Sequence, residues 1–284
     1  MYTTTIKELG QKLPIGFLVK GELCKDFTLR PYKSRVDRHL NAWREANEGK
    51  SLAHLTAKYL SLIVSEAGGK AYVLTDDGGS TADQEFKFHL WNYADVIYAY
   101  LYSRIVNIDN WINVSYVCPN SSCNTRGTMK ADLYSTEVRV LDEPQEMTHW
   151  VKLKRGFKLR DGKKCVGLRL RPITFQAQLG VGAGMTSMNS IGYHHFREAV
   201  DQVETNASGE GKKRFDYVLT NEEIDEIEKI DVLVIDRQAD KIAAGPDLRT
   251  HLECPKCGIK ILNALNWSFD HFFDLSVPMG VLMP

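Results

Sequence analysis

Polar and apolar positions alternate across residues 25–31, and with the apolar run of residues 13–19 they flank a turn at Lys20-Gly21, which predicts a β-hairpin. Two amphipathic helices follow. Val36, Leu40 and Trp43 recur at helical spacing up to Glu48-Gly49, and after Ser51 the residues Leu52, Leu55, Tyr59, Leu60 and Ile63 do so until Gly68-Gly69. Residues 75–80 are polar and read as a loop; residues 92–106 predict a third helix, and the aromatic stripe of residues 91–102 is core in character.

Beyond residue 148 the pattern starts again. Residues 156–159 lead to a turn at Asp161-Gly162, and residues 166–172 repeat the run from strand to proline. At an offset of 141 residues, Leu18 meets Leu159, Gly21 meets Gly162, Cys24 meets Cys165, and Leu29-Arg30-Pro31 meets Leu170-Arg171-Pro172. Landmarks further along recur as well: Cys118 lies 88 residues after Arg30, and Cys254 lies 83 residues after Arg171. The expected architecture is therefore α+β, with two similar halves over residues 1–148 and 149–284. Each half is a hairpin, a helical stretch and a Cys-Pro knuckle, and the second carries an aromatic tail over residues 267–273.

The second half has its own helix signal in the capping box Thr220-Asn221-Glu222-Glu223, with Ile224, Ile227, Val232 and Ile235 as its buried stripe. Two stretches read as loops: residues 178–192, rich in Gly, Ser, Met and Asn, and residues 206–214, a polar Gly/Lys run.

Composition narrows the class. With 43% apolar and 25% charged residues the chain is globular in type, and 36 basic against 36 acidic residues argue against general nucleic-acid or membrane-surface binding. No apolar run approaches the ~18 residues of a membrane span, and residues 1–7 lack the pattern of a secretory signal, so a cytosolic setting is expected.

Six cysteines are too few for a disulfide scaffold, and four of them fall into two pairs. Cys118 and Cys123 bracket Pro-Asn-Ser-Ser, and Cys254 and Cys257 bracket Pro-Lys and precede Gly258. Zinc prefers soft sulfur and closes its structural sites with four ligands, so Cys118, Cys123, Cys254 and Cys257 are the candidate ligands of a split zinc-ribbon-like site. Gly258 allows the positive φ such a turn needs. A redox role for Cys254 and Cys257 lacks the βαβ context that would support it. Cys24 and Cys165 read as small core residues, while His194, His195 and His251 are weaker alternatives as ligands.

Catalytic motifs are missing. No His-Glu-x-x-His occurs, no carboxylate pair stands out, and neither residues 180–184 nor residues 209–213 have the spacing of a phosphate-binding loop. No catalytic residue is assigned, and a non-enzymatic protein acting through other proteins is expected.

The order of landmarks resembles the baseplate hub and hub-assembly proteins of contractile-tailed bacteriophages. The resemblance is carried by the Leu-Arg-Pro strands, Gly245-Pro246-Asp247, the two Cys pairs and the Phe272-Phe273 tail. It implies a structural or assembly protein of the tail baseplate, in the virion or in host cytoplasm during assembly. Its partners would be other tail proteins or copies of itself, with no small-molecule substrate. The rival reading is a zinc-ribbon nucleic-acid binder whose basic face is Lys152, Lys154, Arg155, Lys158, Arg160, Lys163 and Lys164.

Overall fold

A computed structural model describes residues 1–74, 91–179, 188–207 and 211–264. Its architecture is mixed α+β, with several antiparallel sheets. The first four-stranded sheet is β2 (Lys12–Val19), β3 (Glu22–Leu29), β4 (Val64–Ala67) and β5 (Lys70–Ala71), with helices α2 (Ser34–Ala46) and α3 (Leu52–Ile63) between its second and third strands. Helix α4 (Tyr93–Asn107) lies against this sheet, with Tyr98 and Tyr100 fully buried, as the aromatic stripe predicts.

The second four-stranded sheet is β9 (His149–Lys158), β10 (Lys164–Leu170), β11 (Val200–Ala207) and β12 (Gly211–Asp216). Helices α5 (Phe175–Leu179) and α6 (Met188–Ala199) again fall between the second and third strands, and α7 (Asn221–Asp225) and α8 (Lys229–Ala239) follow the fourth. Both sheets thus run in consecutive antiparallel order.

The irregularities of the two sheets coincide too. In the first hairpin Phe17 faces Cys24 and Lys12 faces Asp26; in the second, Phe157 faces Cys165 and Lys152 faces Gly167. Each therefore sets four residues of its first strand, 13–16 or 153–156, against one of its second, Lys25 or Val166. Gly16 (φ +85°) and Gly156 (φ +68°) sit in these bulges, where a Cβ would lie 2.6 Å from the Cys24 carbonyl oxygen and 2.1 Å from that of Cys165. A smaller bulge falls at Ser65 in β4 and at Asp201 in β11. The Arg30 N–H donates to Ile63 and the Arg171 N–H to Ala199, the last residues of α3 and α6.

A buried carboxylate satisfies each large bulge. Asp95, the third residue of α4, accepts from the N–H groups of Ile15 (2.8 Å) and Gly16 (2.9 Å). Asp231, the third residue of α8, accepts from those of Lys154, Arg155 and Gly156 at 2.5–3.2 Å. Both side chains are fully buried, so these bonds stand in for the water that the bulge amides have lost.

Among the described residues there are three smaller units as well. Strands β1 (Tyr2–Thr5), β8 (Glu137–Val140) and β13 (Gly245–Pro246) form a sheet, and α1 (Ile6–Leu9) follows β1. The other two are ribbons: β6 (Trp111–Val117) with β7 (Arg126–Asp132), and β14 (Arg249–Glu253) with β15 (Lys260–Ala264). Two hydrophobic clusters result. Residues of the first 140 positions, Phe175, Leu252, Cys254 and Ile261 make one; residues between Val151 and Ile242 make the other. The chain thus leaves the first cluster after β8, touches it again at α5 while building the second, and returns at β13.

Several expectations are corrected. Residues 206–207 and 211–214 are not loop: they pair as strands β11 and β12, held by Glu204 pairing with Lys212 and Arg214, while 208–210 lie outside the described residues. Residues 178–192 include the end of α5 and the start of α6, while 180–187 lie outside the described residues. The acidic helix is two helices broken at residues 226–228. Ile227 and Ile235 are buried as expected, but Val232 is exposed, because Asp231 takes the inward position to meet the β9 bulge. The loop expected at 75–80 and the aromatic tail at 267–273 lie outside the described residues.

Candidate metal centre

Two hairpin tips build the site. β6 alternates, burying Ile112, Val114 and Tyr116, and β7 pairs with it in continuous register from Trp111 opposite Asp132 to Val117 opposite Arg126. At the tip the Cys118 N–H donates to Thr125, and the N–H groups of Cys123 and Asn124 both donate to the Asn120 carbonyl, 2.9 Å away. In the other ribbon the Cys254 N–H donates to Ile259 and the Gly258 N–H to Cys254. The residue after the second cysteine has positive φ in both tips, +69° at Gly258 and +43° at Asn124. Asn tolerates that region better than other residues with a side chain, which lets the longer Cys118–Cys123 turn close without glycine.

The ribbons pack on each other through the first cluster, with β14 against β7 and β15 against β6. This brings the sulfurs together. Cys118 Sγ lies 3.6 Å from Cys257 Sγ, Cys123 Sγ lies 3.8 Å from Cys254 Sγ, and all four sulfurs lie within 4.8 Å of one another. A tetrahedral site with metal–sulfur bonds of about 2.3 Å has edges of about 3.8 Å, so this set can hold a metal ion. Cys118 and Cys254 are buried, Cys123 is half-buried and Cys257 is exposed.

Local donors tune the thiols unequally. Burial pushes Cys118 up to about 12. The Thr125 hydroxyl, 3.1 Å from Cys123 Sγ, and its backbone hold Cys123 down at about 6. At Cys254, burial is outweighed by the backbone N–H groups of Lys256 and Cys257, which lower it. Metal binding needs thiolates, and amide and hydroxyl donors stabilise them before a cation arrives. Thr125 and Asn124 were not singled out in the sequence, although both immediately follow Cys123.

The other candidates fall elsewhere. Cys165 is fully buried in β10, where burial pushes it up to about 12, and Cys24 is half-buried in β3. His194 and His195 lie side by side on α6 and do not belong to the sulfur cluster; the His251 side chain is outside the described residues. Residues 180–184 are also outside them, and residues 211–213 belong to β12. Cys254 and Cys257 occupy a hairpin turn, not the start of a helix. The seven cations of the rival reading are exposed around the β9–β10 hairpin, on the second cluster, whereas the metal ribbon is built on the first. Lys163 is paired with Asp161, and Arg160 stacks on Tyr217.

Among the described residues no helix is long and apolar enough to cross a membrane. No protein family, curated protein or solved structure matches the chain.

Proposed function

We propose that this chain is a non-enzymatic scaffold made of two copies of one module, tied by a structural zinc, and that it serves as a structural or assembly protein of a phage tail baseplate. The observation that carries the scaffold reading is the closed four-sulfur set contributed by hairpins 131 residues apart. With four protein sulfurs, every tetrahedral position is taken and none is left for a substrate, which is the arrangement of structural sites. The groove between β7, β8 and β14 points the same way. Two of its three carboxylates are engaged, Asp132 by Asn110 and the Tyr134 N–H, and Asp247 by Arg249, and the third, Glu137, is exposed.

The shared strand order, paired bulges and paired buried aspartates support the two-module reading. The baseplate setting rests on the sequence resemblance, and its partners would be tail proteins. The test is zinc content of purified, reduced protein together with co-purification from cells expressing tail components. About one zinc per chain and a stable complex with a tail protein are expected. A metal-free folded chain would overturn the zinc assignment, and a chain that binds no tail component would overturn the baseplate role. Binding to DNA or RNA that weakens steeply with salt would favour the rival.

A further inference from the structure

The four sulfurs of the metal centre are unequally shielded. Cys118 and Cys254 are buried and Cys123 is half-buried, but Cys257 is exposed, in a turn whose Pro255, Lys256, Gly258 and Ile259 are exposed too. A Cβ at Gly258 would meet nothing within 4 Å, so the outer side of this turn is open. A dissolved hydroperoxide therefore reaches one sulfur of the set ahead of the other three. Oxidation of cysteine follows thiolate character and exposure, and cysteine ligands of zinc are thiolates.

A partner sulfur stands on the other hairpin. Cys118 Sγ lies 3.6 Å from Cys257 Sγ. A disulfide of about 2.05 Å requires the two to close by about 1.5 Å. The Cys118 N–H is tied to Thr125 across its own tip, so the open turn at Cys257 is the side with room to move. The remaining sulfurs, Cys123 and Cys254, face each other across the same junction at 3.8 Å. Cys24 and Cys165 do not belong to the cluster, and the Cys165 thiol donates to the Gly167 carbonyl within β10.

We propose that Cys257 and Cys118 are a peroxide-sensitive pair, entered at Cys257 and resolved by Cys118, whose oxidation replaces the metal tie by a disulfide between the two hairpins. The Cys257 thiolate attacks one oxygen of hydrogen peroxide: an S–O bond forms, the O–O bond breaks, and the departing hydroxide takes up a proton to become water. The Cys118 thiolate then attacks the Cys257 sulfur: the S–S bond forms, the S–O bond breaks, and a second hydroxide leaves and is protonated to water. Two thiolates, one peroxide and two protons thus give one disulfide and two waters, each sulfur yielding one electron to the peroxide. Only Cys123 and Cys254 then remain as thiolates, half the set that closes a structural site, so zinc is released. A second equivalent of peroxide joins these two. Both bonds cross between hairpins, so the chain gives up its metal without parting the β14–β15 ribbon from β6–β7. The inference rests on the zinc reading for what oxidation releases, and on the sulfur geometry alone for which cysteines join.

The test titrates the full zinc-loaded chain with hydrogen peroxide. A chromophoric chelator reports released zinc, and peptide mapping without reductant identifies the disulfides. Zinc should appear in step with a Cys118–Cys257 disulfide, a sulfenic-acid trap should mark Cys257 before any other cysteine of the set, and dithiothreitol with added zinc should restore the starting state. Disulfides within the hairpins, Cys118 to Cys123 or Cys254 to Cys257, overturn the proposal. So does a first mark on another cysteine of the set, or zinc retained throughout the titration. Each of these results, in protein that held zinc before peroxide was added, leaves the zinc reading standing. Protein that holds no zinc at the outset overturns that reading alone, and the same mapping then still decides whether Cys118 and Cys257 pair.

Discussion

The sulfurs of Cys118 and Cys257, 139 residues apart in the chain, lie 3.6 Å from each other. Four thiolates at such separations repel one another, and a cation among them would remove that repulsion, so a bound metal would tie the two hairpins together. Cys257→Ser should abolish stoichiometric zinc and lower the Tm by on the order of 10 °C, and a strong chelator should do the same to wild type. Calorimetry with zinc analysis checks this; an unchanged Tm after complete zinc removal would show that packing of the ribbons suffices.

Asp95→Ala and Asp231→Ala should each destabilise the fold by about 3 kcal/mol, since each orphans two or three buried backbone N–H groups. The two losses should add, because each carboxylate serves its own hydrophobic cluster. Urea unfolding of both single variants and the double variant measures this.

Burial pushes Asp95 up to about 7, against the opposing pull of the Ile15 and Gly16 N–H groups. In the unfolded chain the same carboxyl loses its proton near pH ~4. Native protein therefore holds a proton that unfolding releases across this window, so this group's contribution to stability falls as pH rises from about 4 to 7 and is flat above. Asp95→Asn should remove that slope in stability measured against pH; a slope unchanged in the variant would show that another group titrates.

Gly16→Ala and Gly156→Ala should each cost more than about 2 kcal/mol, because positive φ and a collision with backbone oxygen act together. Gly21→Ala is the control. It shares the positive φ (+89°) but meets nothing within 4 Å, so about 1 kcal/mol is expected, and equal losses at all three positions would mean that the collisions are relieved by small shifts.

What could be read in the chain was local. Turns at Lys20-Gly21 and Asp161-Gly162, the helix starting beside Asn92 and the spacing of the cysteine pairs all have signals within a few residues, and the structure has elements at each place. The alternation of Ile112, Val114 and Tyr116 was equally legible and was passed over. Residues 206–214 misled because polar composition imitates a loop, whereas the strands there are held by cross-strand ion pairs. Asp95 and Asp231 carried no usable signal, since a carboxylate in a helix's first turn is ordinarily a solvent-facing partner of the helix dipole. Nor does spacing reveal which core a cysteine joins: Cys254 follows the second sheet in sequence yet packs with the first cluster.

The return of the chain at β13 sets a timetable for synthesis. Cys123 emerges 131 residues ahead of Cys254. At about 5–20 residues per second that gap lasts on the order of ten seconds. Throughout it the β6–β7 ribbon has lost neither its apolar side nor its two thiols to a partner, while the whole second sheet is made and can fold. The nascent chain is thus exposed at Cys118 and Cys123 until the β14–β15 hairpin arrives, and oxidation of these thiols or aggregation through Ile112, Val114 and Tyr116 in that interval competes directly with closure of the four-sulfur set.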